Sequence, residues 1–368
     1  MIKKRFQALD GFRGLCALCV AIYHMPYIEQ TFTEFAFFKG SAIFVDFFFI
    51  LSGFVLTHGY AFKENLTFLG FAKSRFFRLY PLHIFTLGVM LCMLSVRGVA
   101  INFNVISSAE AAFSGANSIS ELIPNLLLVH AWSSHTTGVS FNYPSWSISI
   151  EFYMYFIFYL TLIITKNFKA LVWSVVFIVS FILLFEKTDL LMINVLRGST
   201  NFFGGCLIYI VFTKIHTFKM SVLLGTFIEI IMLIGVYYIV QSTIEYRGFI
   251  ATVLFFFTVL FFAFEAGHMS RLLVSRPLQE LGKLSYSIYM VHALILLGFS
   301  WLLSLSGNVL GINLLIISDV LNNMFLLFLL LIIVLTSRVT YQHIEVRAQI
   351  FGRRIASKKA KNTKVISG

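Results

Sequence analysis

The sequence predicts an all-α, polytopic membrane protein of about ten transmembrane helices, and three observations carry that prediction. Hydrophobic residues make up 59% of the chain, charged residues only 12%, and mean hydropathy is +0.88. A soluble domain is closer to half apolar and one-quarter charged, so this apolar surplus needs lipid as its solvent. The apolar residues gather in runs near the ~20 residues that a hydrocarbon core of about 30 Å requires. The basic residues between those runs fall mostly on one side, as the positive-inside rule demands.

The runs lie at residues 9–27, 41–62, 79–96, 146–165 and 170–186, then 198–213, 220–240, 248–266, 284–305 and 320–341. The sixth is the shortest. The first follows Lys3, Lys4 and Arg5 and so imitates a secretory signal, but His24, Met25 and Pro26 stand where small cleavage-site residues belong; an uncleaved first span is expected. With the N-terminus in the cytoplasm, Lys63, Lys73, Arg75, Arg78, Lys166, Lys169, Lys214, Lys219, Arg271, Arg276 and Lys283 fall inside, with the tail from Arg347 to Lys364. About 21 basic residues are then inside, and about five (Lys39, Arg97, Lys187, Arg197, Arg247) are outside. Both termini are expected in the cytoplasm, which requires an even number of spans.

Between the third and fourth runs an external stretch from Arg97 to Ser145 is much longer than the other outer loops. Its apolar segment, residues 122–129, is too short to span, so a partly helical loop or re-entrant piece able to roof a cavity is expected. No linker or internal repeat appears; residues 1–345 read as one membrane domain and 346–368 as a basic cytoplasmic tail.

Composition also excludes several functions. The net charge of +12 and pI near 9.5 would suit nucleic acid, yet the cations sit between apolar runs and not on one domain face. Membrane lipids are the expected partners, and nucleic acid is not. Cys16, Cys19, Cys92 and Cys206 all fall inside apolar runs, where they pack as small hydrophobes. No His-x-x-x-His pair with an acid, no Gly-x-Ser-x-Gly elbow and no phosphate-loop or dinucleotide fingerprint occurs, so no metal site is expected.

Ionisable groups within the spans are costly and are therefore the candidate site residues. Arg13 and His24 are eleven residues apart on the first span, within about 20° of one helix face and about 16 Å apart along it. An acyl thioester on an extended pantetheine arm has a comparable length; the competing reading is a snorkelling Arg13 and an interfacial His24. Asp46 in the second span needs a partner, which is His24, Arg13 or a purely structural cation. Glu151 in the fourth span lies near the outer side, with His24 its nearest cation by depth; a carboxylate beside an imidazole fixes its tautomer for general-base work. Arg75 and Arg78, one helical turn apart, form either a phosphate clamp or ordinary positive-inside anchors. Tyr289 and His292 share a face of the ninth span, with cavity lining and a satisfied core histidine as the two readings. The 43 Phe read as packing and lipid-facing bulk.

These residues fall in five ordered blocks: Leu9-Asp10-Gly11-Phe12-Arg13-Gly14-Leu15 with Tyr23-His24; Val45-Asp46-Phe47-Phe48-Phe49-Ile50-Leu51-Ser52-Gly53-Phe54; Arg75-Phe76-Phe77-Arg78-Leu79-Tyr80-Pro81; Pro144-Ser145-Trp146-Ser147-Ile148-Ser149-Ile150-Glu151-Phe152-Tyr153; and Ser285 to His292. Together they resemble the type-3 acyltransferase family of multi-pass membrane proteins. The resemblance implies acyl transfer, usually acetyl, from cytoplasmic acyl-coenzyme A (acetyl-CoA as the usual donor) to a hydroxyl of a surface polysaccharide, lipopolysaccharide, peptidoglycan or small secreted product, at the bacterial inner membrane; a cell-surface polysaccharide or related glycan is the acceptor expected here. It implies His24 as the catalytic histidine, Glu151 as a site carboxylate, and Arg13, Arg75 and Arg78 as donor contacts; beside these, Asp46 is the alternative acid to orient His24, and Trp146, Tyr289 and His292 are the expected substrate-binding residues. Family members often carry an appended external hydrolase-like domain; none is expected here, so the membrane domain itself or another protein would engage a glycan or lipid-linked sugar. The rival function is a secondary transporter or flippase of a glycan precursor, against which the ordered blocks and absent inverted repeats argue.

Overall fold

A computed structural model describes residues 5–26, 28–64, 66–103, 105, 111–186, 191–310 and 318–355. Lys3, Lys4, Lys187 and the tail beyond residue 355 lie outside the described residues. In chain order the helices are α1 (Gln7–Tyr23), α2 (Ala36–Gly40), α3 (Phe44–Tyr60), α4 (Phe68–Asn102), α5 (Leu122–Leu126), α6 (Ser145–Thr165) and α7 (Lys169–Phe185). There follow α8 (Ile193–Ile215), α9 (Val222–Gln241), α10 (Arg247–Phe262), α11 (His268–Leu273), α12 (Arg276–Leu310) and α13 (Asp319–Thr340). No strand occurs among the described residues.

Each of the ten apolar runs coincides with one of these helices. Among the described residues seven stretches are long and apolar enough to cross a bilayer: Ala36–Tyr60, Phe68–Asn102, Ser145–Thr165, Ile193–Ile215, Val222–Gln241, Arg276–Leu303 and Asp319–Ile355. The other three, α1, α7 and α10, have 17, 17 and 16 residues. The sixth run looked short because Arg197 interrupts its hydropathy. In the structure α8 starts at Ile193 and has 23 residues, with the Arg197 charge matched by Asp46.

At the centre of the bundle α3 packs on α8, with 78% and 72% of their apolar windows buried; the corresponding share is 22% for α4, α9 and α13, which form the periphery. Glycines let the central backbones touch. A Cβ on Gly53 would sit 1.9 Å from the Phe202 carbonyl oxygen, and one on Gly205 would sit 2.0 Å from that of Ile50. α1 and α12 meet in the same way, a Cβ on Gly282 falling 2.3 Å from the Asp10 carbonyl oxygen. Small residues at such crossings replace the hydrophobic drive that lipid cannot supply. Phe47, Phe54, Phe202, Phe203 and Phe255 fill the surrounding core, while Phe35 and Phe227 face outward.

Two segments go beyond the apolar runs. The stretch after α4 turns back into the protein between α4 and α6. Its carbonyls accept hydrogen bonds there from helix side chains: Leu126 from Tyr80 (3.0 Å), Asn125 from His83 (2.9 Å), Leu127 from Tyr153 (2.8 Å) and Leu128 from Ser149 (2.6 Å). Irregular backbone is tolerated at depth only when so satisfied, and Asn142 ties the end of the stretch to the Met290 carbonyl on α12 (3.0 Å). At the other end of the chain α13 runs through a π-helical turn, Tyr341–Val346, and on as helix to Ile355. The boundary expected at residue 345 therefore falls inside a continuous helix. Phe351 meets Phe77 of α4 at 5.9 Å, and Glu345 is buried.

Candidate active site

Three cavities are strung along the bundle, each sharing wall residues with the next. At one end a cavity of about 270 Å³ lies between the start of α4 and the α13 extension, lined by Lys73, Ser74, Arg75, Arg78, Gln349 and Arg353. Arg75 and Arg78 also line the middle cavity, about 170 Å³, with Arg13, Ser52, Glu151, Tyr155, Tyr286 and Tyr289. Tyr289 and Val45 then separate that cavity from a third of about 510 Å³, which holds His24, Asp46, Tyr143, Trp146 and Arg197.

Arginines dominate the junction of the first two cavities. Arg78 Nη1 meets Glu345 Oε2 at 2.9 Å, the carboxylate being almost wholly buried, and Ser287 Oγ donates to its other oxygen at 2.5 Å. The π-turn places this glutamate: an extra residue per turn rotates Glu345 off the lipid face toward α4 and α12. Arg75 donates to the Tyr60 hydroxyl (3.1 Å) and lies over the Tyr155 ring (5.6 Å). Arg13 Nη2 donates to the Gly282 carbonyl (3.0 Å), reached through the close glycine crossing, with Asp10 3.6 Å away. The Nε atoms of both Arg13 and Arg75 are buried without a hydrogen-bond partner. Buried unsatisfied donors of this kind suit anionic oxygens of a ligand, so the residues present fit phosphate groups.

Glu151 faces this middle cavity and not His24, contrary to the depth argument. It stands six residues into α6, about 9 Å along the axis from Ser145, and accepts hydrogen bonds from Ser52 and Tyr155. Asp46 likewise does not orient His24 or pair with Arg13. Arg197 Nη2 is 3.1 Å from its Oδ2, Asn201 donates to its Oδ1 at 3.1 Å, and Thr252 donates to Asn201 Oδ1 at 3.0 Å. The structural ion-pair reading of Asp46 thus matches its surroundings, with a cation that the sequence reading left in an outer loop.

His24 caps the end of α1 at the wall of the third cavity. Its ring centroid lies 4.6 Å from Tyr143 and 5.3 Å from His292, onto which it stacks at 26°. His292 sits behind it, fully buried; its Nδ1 donates to the Ile288 carbonyl (3.2 Å), and Nε2 is buried without a partner. The face shared by Tyr289 and His292 brings their rings to 5.9 Å. Tyr289 accepts a 2.8 Å hydrogen bond from Ser147 at the junction of the two cavities. Trp146 lies under the Arg197 guanidinium at 5.7 Å. Tyr143, which sequence reasoning did not single out, comes from the re-entrant stretch. Burial pushes its phenol well above the ordinary tyrosine range, so it keeps its proton and is a donor at neutral pH. Of the residues read from sequence, the structure unites Arg13, Arg75, Arg78 and Glu151 in one cavity and His24, Asp46 and Trp146 in the next, with Tyr289 between. Among the described residues no cluster of three or more metal-ligating side chains occurs.

Relatives follow the same lines. Acyltransferase MdmB of Streptomyces mycarofaciens is 35% identical over 164 residues, covering 42% of this chain and 38% of that protein. Protein 2 in the picA locus of Rhizobium radiobacter is 42% identical over 90 residues, covering 24% of this chain and 44% of that protein. The matches therefore span less than half the length of these curated relatives. No solved structure matches the chain. A family model described as an acyltransferase domain matches residues 6–341, nearly the whole membrane bundle and every block read from the sequence, and the chain belongs to the type-3 acyltransferase family.

Proposed function

We propose that this protein transfers an acyl group, acetyl in the first instance, from cytoplasmic acyl-coenzyme A to a hydroxyl of a cell-surface polysaccharide or related glycan. The single observation carrying this reading is the run of three cavities that joins a basic mouth to the His24 wall through Arg75, Arg78 and Tyr289. In this reading the basic mouth opens to the cytoplasm of a bacterial inner membrane, with both termini on that side. Arg13, Arg75 and Arg78 hold donor phosphates. The acyl arm lies along the middle cavity, where Glu151 orders Ser52 and Tyr155 on its wall, and the thioester arrives at Tyr289.

There His24 takes the proton of the acceptor hydroxyl as its oxygen attacks the thioester carbonyl. The new C–O bond forms, the C–S bond breaks, and the leaving thiolate takes the proton back from the imidazolium. The protonated Tyr143 stands beside the imidazole, placed to donate to the oxyanion as charge develops there. His292, whose Nδ1 proton is committed to the Ile288 carbonyl, fixes the ring of His24 by stacking.

Mass spectrometry of surface glycans from cells with and without the chain tests the reading. Ester mass on a sugar should appear with the wild type and vanish with His24→Ala at equal membrane abundance. A change in glycan amount with unaltered ester content would instead mark a transporter.

A further inference from the structure

The Asp46–Arg197 pair stands between two cavities. One is the cavity that holds His24; the other, of about 330 Å³, lies between α7, α8 and α10. Asp46, Arg197, Arg247 and Gly248 line both. At Gly248 the common wall is open, since a Cβ there would meet no atom within 4 Å. With the basic mouth inward, both cavities belong to the outer side.

This further cavity is lined by polar groups that the protein leaves unsatisfied. Thr200 of α8, 1% exposed, presents a hydroxyl with no hydrogen-bond partner. Buried threonines elsewhere, Thr57 and Thr258 among them, donate to the carbonyl one turn back at 2.8 Å and need nothing more. Arg247 donates through Nη2 to the Gly40 carbonyl at 2.5 Å but keeps a buried Nε without a partner. Glu245 adds an exposed carboxylate at the rim. Phe181 and Phe249, with ring centroids 5.1 Å apart, form an aromatic wall. Tyr246, also on the rim, takes a left-handed backbone conformation (φ 58°) with its ring stacked on Phe185 at 5.5 Å. A ligand that fits must both give and take hydrogen bonds and must also lie against aromatic rings. A bare anion satisfies only the donors, and a hydrocarbon chain satisfies no polar group. A sugar ring meets every requirement, because each hydroxyl is at once donor and acceptor and the C–H faces of the ring are apolar.

Resting on the acyl-transfer reading, we infer that this cavity is a second saccharide subsite and that the acceptor is therefore an oligosaccharide of at least two rings: one ring offers its hydroxyl to His24 in the third cavity, while the neighbouring ring lies between Thr200 and the Phe181–Phe249 wall.

The protein in phosphatidylcholine nanodiscs is titrated calorimetrically with glucose and with cellobiose, which adds one ring. Cellobiose should bind at least about tenfold more tightly. Thr200→Val, which keeps the shape and removes the hydroxyl, should bring the two sugars within about threefold, and Thr200→Ser should restore the difference. If Thr200→Val fails to fold, Glu245→Ala on the exposed rim takes its place with the same expected loss. Equal binding of the two sugars, binding of neither, a difference that survives the substitution, or a loss that Thr200→Ser does not restore overturns the inference. So does disappearance of the difference when phosphatidylethanolamine is added to the discs, which assigns the cavity to a lipid headgroup. Adding acetyl-CoA to the same samples keeps the parent reading distinct: ester formed with the same kcat/KM on both sugars overturns only the second subsite, whereas tighter binding of cellobiose with no ester on either sugar overturns only acyl transfer.

Discussion

Arg78 serves two neighbours that no span-by-span reading would join, the buried Glu345 and the two cavities whose walls it shares with Arg75. A buried pair broken on one side leaves an uncompensated charge, so Glu345→Ala should destabilise the bundle by about 3 kcal/mol and raise KM for the donor. Thermal unfolding in detergent and steady-state kinetics check both; a variant with unchanged unfolding would remove Glu345 from this role. At the other end, His24→Ala should lower kcat at least about a thousandfold, and Tyr143→Phe about a hundredfold with KM nearly unchanged. The kinetic split matters because a merely structural tyrosine would alter both constants or neither.

The intramembrane charges are where the sequence is most readable at this scale, since lipid makes each an obligatory question. His24, Arg13, Arg75 and Arg78 could be singled out that way, and so could the need of Asp46 for a cation. Which cation answers it could not be read, because Arg197 sits at the very edge of its apolar run and looks like a loop residue until α8 is seen to begin at Ile193. The assignment of Glu151 to His24 failed for a related reason: depth along a helix says nothing of which neighbour its face turns toward, and Glu151 turns to Ser52 of α3.

Among the elements, α3 and α8 hold the site together. The reciprocal approach of Gly53 and Gly205 leaves no room for a methyl group. Gly205→Ala should therefore push the helices apart at a cost of about 1–3 kcal/mol, and should stretch the Asp46 to Arg197 pair on the same two helices. Lowered thermal stability with reduced activity is the expected outcome, whereas wild-type stability would mean that the helices are not in backbone contact. Apolar run length makes helices of this kind easy to read, because hydrocarbon thickness imposes it. The re-entrant stretch was legible as an apolar segment too short to span, but its seat between α4 and α6 depends on hydrogen bonds from Tyr80, His83, Ser149 and Tyr153, which have no periodicity to reveal them. The π-turn is harder still. Its residues, Tyr341–Val346, mix polar and apolar types past the end of an apolar run, and only the inward rotation of Glu345 discloses that the helix continues.

For the whole molecule, the significant feature is that the cavities meet end to end while Tyr289 keeps them apart. Replacing that ring by alanine should open one chamber into the other, so Tyr289→Ala is expected to hydrolyse donor thioester without acceptor while wild type does not. Thiol release measured with and without acceptor checks this, and tightly coupled turnover in the variant would deny the ring its dividing role. The reaction itself is best tested in sealed proteoliposomes of uniform orientation, with radiolabelled acetyl-CoA supplied only on the Arg75 side and a saccharide acceptor only on the His24 side. Labelled ester should accumulate in the acceptor compartment, with intact donor retained in its own and no ester formed by His24→Ala. Ester that forms only when donor and acceptor share one compartment would contradict transfer through the bundle.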